Sequence, residues 1–291
     1  GNIEVVKTLG TQSPGSLGLL DQQLSKLNID SLLLGGKREF DSLSGTTKLT
    51  VVANDVVIGQ GTQVQARDLI AAAKNNVIVQ SGALINSSGK VNTGESAYNV
   101  LGDGALLRVS ADKQITVNRT GSTPGLTGNL LVENGAVLSA SKSMLLDSTK
   151  STVLDGNIVM KGGSLSITAN DVNIGEFAGL AAGSLNLSNQ KLASFTVDDF
   201  LLKSRGAINF YGNVGRTAAN GSLEPLEFNR LVLDAKAFSG YENAGKATKL
   251  QADSILVQNS TGLTTNVTGT GLGTLDIVAN NYNQGKGPFN I

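Results

Sequence analysis

The chain has 291 residues, 23 basic against 23 acidic side chains for a formal net charge of +0, and 36 glycines with no cysteine, histidine or tryptophan. No basic field exists to draw nucleic acid or anionic lipid, and disulfides and thiolate chemistry are excluded. Without histidine, Ser–His–Asp and Cys–His catalysis and ordinary zinc sites are excluded too, leaving carboxylates, Lys, Tyr or an oxygen-bound metal as the available chemistry.

No apolar run approaches the roughly 20 residues needed to cross a bilayer, so membrane insertion is not expected. The sequence opens at Gly1 without Met or a signal pattern, and reads as a processed or partial segment of a longer chain. Residues 1–40 read as an irregular or helical cap, or as a joint between shaft segments. Within them Leu17, Leu20, Leu24 and Leu27 fall at helical spacing, which predicts a short amphipathic helix over Leu17–Leu27. Capping one end of a repeat array is a natural task for such a helix, because an open end exposes strand backbone and apolar surface.

From residue 41 to 291 the pattern changes to short period-2 runs of Val, Ile and Leu closed by Gly, Asn, Asp and Ser, with one further helix-like stretch at Ala66–Lys74. Lys48–Gly59 (KLTVVANDVVIG) recurs as Ser164–Gly175 (SLSITANDVNIG), and more weakly as Thr274–Gly285 (TLDIVANNYNQG). In the first copy Leu49 and Val51 share one strand face. Ala53 permits a tight bend, Asn54-Asp55 make the turn, Val56 and Ile58 point inward, and Gly59 ends the next strand. Asn170, Asp171 and Gly175 repeat those roles, and Asn280 marks the third turn. Asn54, Asn170 and Asn280 are either members of an amide ladder or caps of their own turns. Glycine turns recur before strands at Gly82, Gly135 and Gly162-Gly163. The spacing predicts rungs of about 22 residues, about a dozen of them, paired in parallel at about 4.8 Å.

Four polar, Gly-rich stretches interrupt the rungs at Asn92–Asn99, Gly121–Gly128, Arg216–Leu223 and Phe238–Thr248, and are expected to bulge as loops. Three features offer chemistry. Asp198-Asp199 is a carboxylate pair, although neighbours on a strand point to opposite faces. Leu101-Gly102-Asp103-Gly104 is a lone fragment of a calcium-repeat pattern that needs tandem copies. Lys203, Arg205, Tyr211 and Arg216 form a modest basic-aromatic group, suited to a glycan or acidic polymer, or simply a solvated strand edge. No residue is assigned a catalytic, cofactor-binding or metal-binding role.

Leu145–Gly175 (LLDSTKSTVLDGNIVMKGGSLSITANDVNIG), followed by DDFLLKSRGAINFYG at Asp198–Gly212, resembles the repetitive shaft of the filamentous haemagglutinin-like large exoproteins of two-partner secretion, across residues 40–285. The resemblance implies an all-β, right-handed parallel β-helix (a solenoid) with loop insertions. It would be exported through an outer-membrane β-barrel transporter and displayed on, or shed from, a Gram-negative cell. Its implied task is attachment or biofilm cohesion, through a host surface, a glycan, a matrix polymer or like molecules, with no enzyme activity and no cofactor. The Asn-Pro-Asn motifs of that family's secretion domain are absent, so the segment reads as shaft. Two alternatives remain open: the stick of a toxin-delivery exoprotein, and a β-helical carbohydrate-active enzyme, which needs clustered Asp, Lys or Arg on one face.

Overall fold

The computed structural model describes residues 1–177, 183–269 and 271–284, with side chains through 279. The described chain is mostly β and falls into two compact units, Gly1–Ser166 and Ile167–Ile291.

In the first unit, two sheets are parallel throughout. One orders Ser151–Leu154, Asn129–Val132, Asn76–Val79, Asp55–Ile58, Asn2–Val6 and Ser16–Leu20; the other orders Asn157–Val159, Val137–Ala140, Leu84–Ser87 and Gln63–Ala66. Strands Ser143–Ser148, Ala105–Ser110, Asp68–Ala73 and Leu32–Leu34 lie side by side in a third. The chain takes the three in rotation: Asp55–Ile58, Gln63–Ala66, Asp68–Ala73, then Asn76–Val79 and Leu84–Ser87, and later Asn129–Val132, Val137–Ala140 and Ser143–Ser148. Register partners Asp55, Asn76, Asn129 and Ser151 are separated by 21, 53 and 22 residues. Two of these steps match the predicted rung; the long one contains a detour.

The detour is where the regular pattern breaks. After Leu84–Ser87 the chain leaves, forms Ala97–Leu101, and returns as Ala105–Ser110 in the opposite sense. That strand is antiparallel to both neighbours, Asp68–Ala73 and Ser143–Ser148. Thr116–Thr120, Ala97–Leu101, Thr46–Val51 and Gly36–Asp41 make a fourth sheet. Its inner residues Leu49, Tyr98 and Val100 pack with Ile70, Ala72, Leu106, Ile115 and Leu145.

This packing explains why Asp68–Ala73 is a strand and not the helix its composition suggests. It is buried at every position, as are Ala105–Ser110 and Ser143–Ser148. A strand covered on both faces loses its alternation and reads as a continuous apolar run. Where only one face is covered, as in Asn76–Val79 and Leu84–Ser87, buried positions alternate.

The helix predicted over Leu17–Leu27 shortens to Asp21–Ser25. Ser16–Leu20 is a strand paired in parallel with Asn2–Val6, and Leu17 and Leu27 are exposed. Five backbone pairings to a neighbouring strand outweigh a leucine spacing that offers an isolated helix little. Residues 1–40 also supply Leu32–Leu34, and Gly36–Asp41 runs across the boundary expected at 40/41.

In the second unit, Leu185–Ser188, Val172–Gly175, Ala207–Tyr211 and Ala237–Tyr241 form one parallel sheet; Asp199–Ser204, Leu226–Asp234, Ala247–Gln258 and Thr274–Gln284 lie side by side as successive parallel neighbours. The stretch expected as a loop at Arg216–Leu223 is a hairpin, with Arg216–Thr217 against Leu223–Glu224. The stretch from Phe238 belongs to a sheet strand through Tyr241, so the excursion there is only residues 242–246.

Candidate functional site

Both full copies of the twelve-residue motif fold as strand, bend and strand. Leu49, Ala53, Val56 and Ile58 are buried in the first; Leu165, Ile167, Ala169, Val172 and Ile174 in the second. At Gly59 a Cβ would press on the Val5 carbonyl, and at Gly175, where φ is +114°, it would overlap the Tyr211 carbonyl. Neighbouring backbone approaches too closely for any side chain at these strand ends. The third copy differs: Thr274–Gln284 is one unbroken strand beside the equally long Ala247–Gln258. The turn expected at Asn280 does not form, and the Asn280 side chain lies outside the described residues.

The turn residues act mainly through backbone groups. The Asn54 carbonyl accepts from the Asn75 N–H at 2.8 Å, and the Asn170 carbonyl from the Gly206 N–H at 2.7 Å. Asp171 Oδ1 accepts from the Ala207 N–H at 3.2 Å.

Amide ladders exist, but not at the expected positions: the first includes Asp55, one residue after Asn54, and the second includes Asn173, three residues after Asn170. Asn76 Nδ2 donates to Asp55 Oδ1 at 2.5 Å, Asn129 Nδ2 to Asn76 Oδ1 at 2.9 Å, and Ser151 Oγ to Asn129 Oδ1 at 2.7 Å. In the second unit Asn209 Nδ2 donates to Asn173 Oδ1 at 2.9 Å, and Asn173 Nδ2 to Asn186 Oδ1 at 2.8 Å. A mis-registered strand would leave these amides unpaired, so the ladders select in-register stacking. The sequence carries a signal for the first: Asp55, Asn76 and Asn129 each precede three aliphatic residues.

The candidate contact residues do not converge on one feature. Lys203 Nζ reaches Asp234 Oδ2 at 3.2 Å and donates to Ser260 Oγ at 2.7 Å. The Tyr211 ring stacks on Tyr241, with centroids 4.9 Å apart and planes 12° off parallel, and takes the Phe177 edge at 6.1 Å. Burial raises the Tyr211 pKa, helped by Tyr241 and Glu242. Arg216 is exposed and pairs with Glu224 Oε2 at 2.5 Å across the hairpin. Arg205 donates its N–H to the Ala169 carbonyl. Asp198 Oδ1 accepts from Asn229 Nδ2 at 3.2 Å. Asp199, at the start of Asp199–Ser204, is half-buried. Asp103 Oδ1 takes the Thr123 N–H at 2.9 Å and so ties down a turn. Among the described residues no group of three acidic side chains could hold a metal ion.

The most concentrated electrostatics lies in the core, at the reversed strand. Arg108 and Asp68 are both fully buried, with Nε donating to Oδ1 at 2.7 Å. Arg108 Nη1 also donates to the Lys113 carbonyl and to Ser143 Oγ, and Ser31 Oγ donates to Asp68 Oδ2. Burial opposes ionisation of the adjacent Asp112, but the Thr93 N–H and hydroxyl, the Lys113 N–H and Arg108 outweigh it and lower its pKa. Beside this, Thr47 and Tyr98 both donate to Glu95. None of these charges carried a sequence signal, because the reversal that buries them is a tertiary event.

The helix Asp21–Ser25 lies along the outer strand Gln63–Ala66. Asp21 Oδ2 accepts from the Gln63 N–H at 3.0 Å, and Ser25 Oγ accepts from the Gln65 N–H at 3.0 Å while donating to the Gln63 carbonyl at 3.2 Å. Side chains thus replace the missing next strand along this sheet edge. Comparison of the chain with models of protein families, with curated proteins and with solved structures returns no match.

Proposed function

We propose that the chain is a segment of right-handed parallel β-helix that serves as the rigid shaft of an extracellular adhesive protein on a bacterial surface. The observation that carries this reading is the rotation of the first unit through three sheets, with parallel partners in register and an amide column running from Asp55 to Ser151. Parallel strands joined by crossovers of one sense are overwhelmingly right-handed. Stacked turns that contact only their neighbours make an extended, stiff body whose length scales with repeat number.

The balanced charge and the resemblance to two-partner exoproteins support display outside the cell after export through an outer-membrane β-barrel transporter. Contact with a host surface, a glycan or a matrix polymer then falls to the loops and outer strand faces, where recognition residues tend to sit. Small-angle scattering on the purified chain tests the shaft, which requires a rod profile; a maximum dimension equal to that of a sphere of the same mass rejects it. Attachment of chain-coated beads to cells and to biofilm matrix tests the adhesive task, and binding no better than uncoated beads rejects that.

A further inference from the structure

Readily oxidised side chains are scarce in this protein, and two of them touch at the surface. The chain has no cysteine, histidine or tryptophan, and its two methionines, Met144 and Met160, are buried. Of its four tyrosines, Tyr98 is buried and donates to Glu95, and the side chain of Tyr282 lies outside the described residues. The other two, Tyr211 and Tyr241, are partly exposed. They are register partners on parallel strands, with ring centroids 4.9 Å apart and planes 12° off parallel. Ile208 and Phe210 are buried, so strand alternation puts Tyr211 on the outer face of its sheet. Phe177 meets Tyr211 edge-on at 6.1 Å, and the Tyr241 hydroxyl lies 3.1 Å from Thr268 Oγ1. Tyr211 therefore has two aromatic neighbours, of which Tyr241 alone is a phenol.

We propose that Tyr211 and Tyr241 are a site of oxidative cross-linking, joined as dityrosine by a haem peroxidase acting with hydrogen peroxide. Burial, with Tyr241 and Glu242, raises the Tyr211 pKa, so at neutral pH the phenol is protonated and gives up a proton with its electron. Each tyrosine loses one electron and its hydroxyl proton, leaving a phenoxyl radical with spin on the carbons ortho to oxygen. The two radicals pair to form one carbon–carbon bond between ortho carbons. Each ring then shifts its ortho hydrogen to its own oxygen and becomes a phenol again. Two electrons and two protons leave in all, and they convert one hydrogen peroxide to two waters. Radicals fixed on neighbouring strands meet at an effective concentration that free chains do not reach. Exposed side chains change rotamer within nanoseconds, fast enough to bring stacked rings ortho to ortho. The bond ties together two strands that otherwise share backbone pairing and packing, in a chain with no disulfide to do so.

Treatment of the dilute purified chain with a haem peroxidase and hydrogen peroxide tests it. Peptide mapping by mass spectrometry should find the peptides carrying Tyr211 and Tyr241 joined, two hydrogen atoms lighter than their sum. The joined species should migrate as a monomer and show dityrosine fluorescence. Its yield should fall about tenfold or more when the chain is first unfolded in urea. Tyr211→Phe and Tyr241→Phe, each verified as folded by circular dichroism, should abolish the link, and Tyr282→Phe should keep it. Absence of the link in the oxidised folded protein, equal yield in urea, or dityrosine found only between separate chains overturns the proposal.

Discussion

The buried pair at the reversed strand lends itself to a quantitative test. Arg108 Nε and Asp68 Oδ1 are 2.7 Å apart with both side chains fully buried. At an effective dielectric constant near 20 their attraction is about 6 kcal/mol, and desolvation of the two ions, several kcal/mol each, cancels most of it. A further cost remains, because Arg108 Nη2 is buried with no hydrogen-bond partner. The net worth of the pair is therefore near zero, while removing one member strands the other. Arg108→Met should destabilise the first unit by about 3–5 kcal/mol, although Ser31 still bonds Asp68. Arg108→Met with Asp68→Asn should recover about 1–2 kcal/mol of that loss, because Asp68 is then no longer an unpaired buried charge, while Asp112 still lacks the guanidinium that stood 4.0 Å away. Amide hydrogen exchange read at 68–73, 105–110 and 143–148 isolates this sheet from the rest of the chain. An Arg108→Met cost under about 1 kcal/mol, or a double variant no better than the single one, would refute the electrostatic argument.

Three further outcomes are expected. Asn129→Val removes two ladder bonds, one to Asn76 and one from Ser151; it should cost about 1–3 kcal/mol by chemical denaturation, and no measurable loss would make the ladder incidental. The Tyr98 pKa is raised, chiefly by burial and then by Asp68 and Glu95 against the opposing Arg108. The unfolded chain therefore releases that proton first, so this contribution to stability is complete below about pH 10 and shrinks as pH rises above it; a Tyr98→Phe variant whose alkaline stability profile matched wild type would contradict this. Asp21→Ala exposes the Gln63 N–H on an outer strand, and size-exclusion chromatography should reveal concentration-dependent association through that edge, where an unchanged monomer peak counts against the capping role.

The period-2 runs and the recurring ANDV and glycine turns determined the class of structure by themselves. Leu49, Val56 and Ile58, and likewise Leu165, Ile167, Val172 and Ile174, are buried as their spacing requires, because alternation in a half-covered strand is a local property. The spacing of 21 residues between the paired Asp55 and Asn76, and of 22 between Asn129 and Ser151, was legible from the recurring turns. What tertiary structure decided was everything set by a second covered face or a reversed direction. Asp68–Ala73 reads as helix until another sheet lies over it, and Leu17–Leu20 reads as helix until Asn2–Val6 offers a partner. Arg108 has no sequence signal of burial, since only the chain reversal at Ala105–Ser110 sets it against Asp68. The stacking of Tyr211 on Tyr241 depends on two strands distant in sequence meeting side by side. Side-chain periodicity encodes which face points inward, whereas the identity of the neighbour that covers it is a long-range pairing that no short window of residues contains.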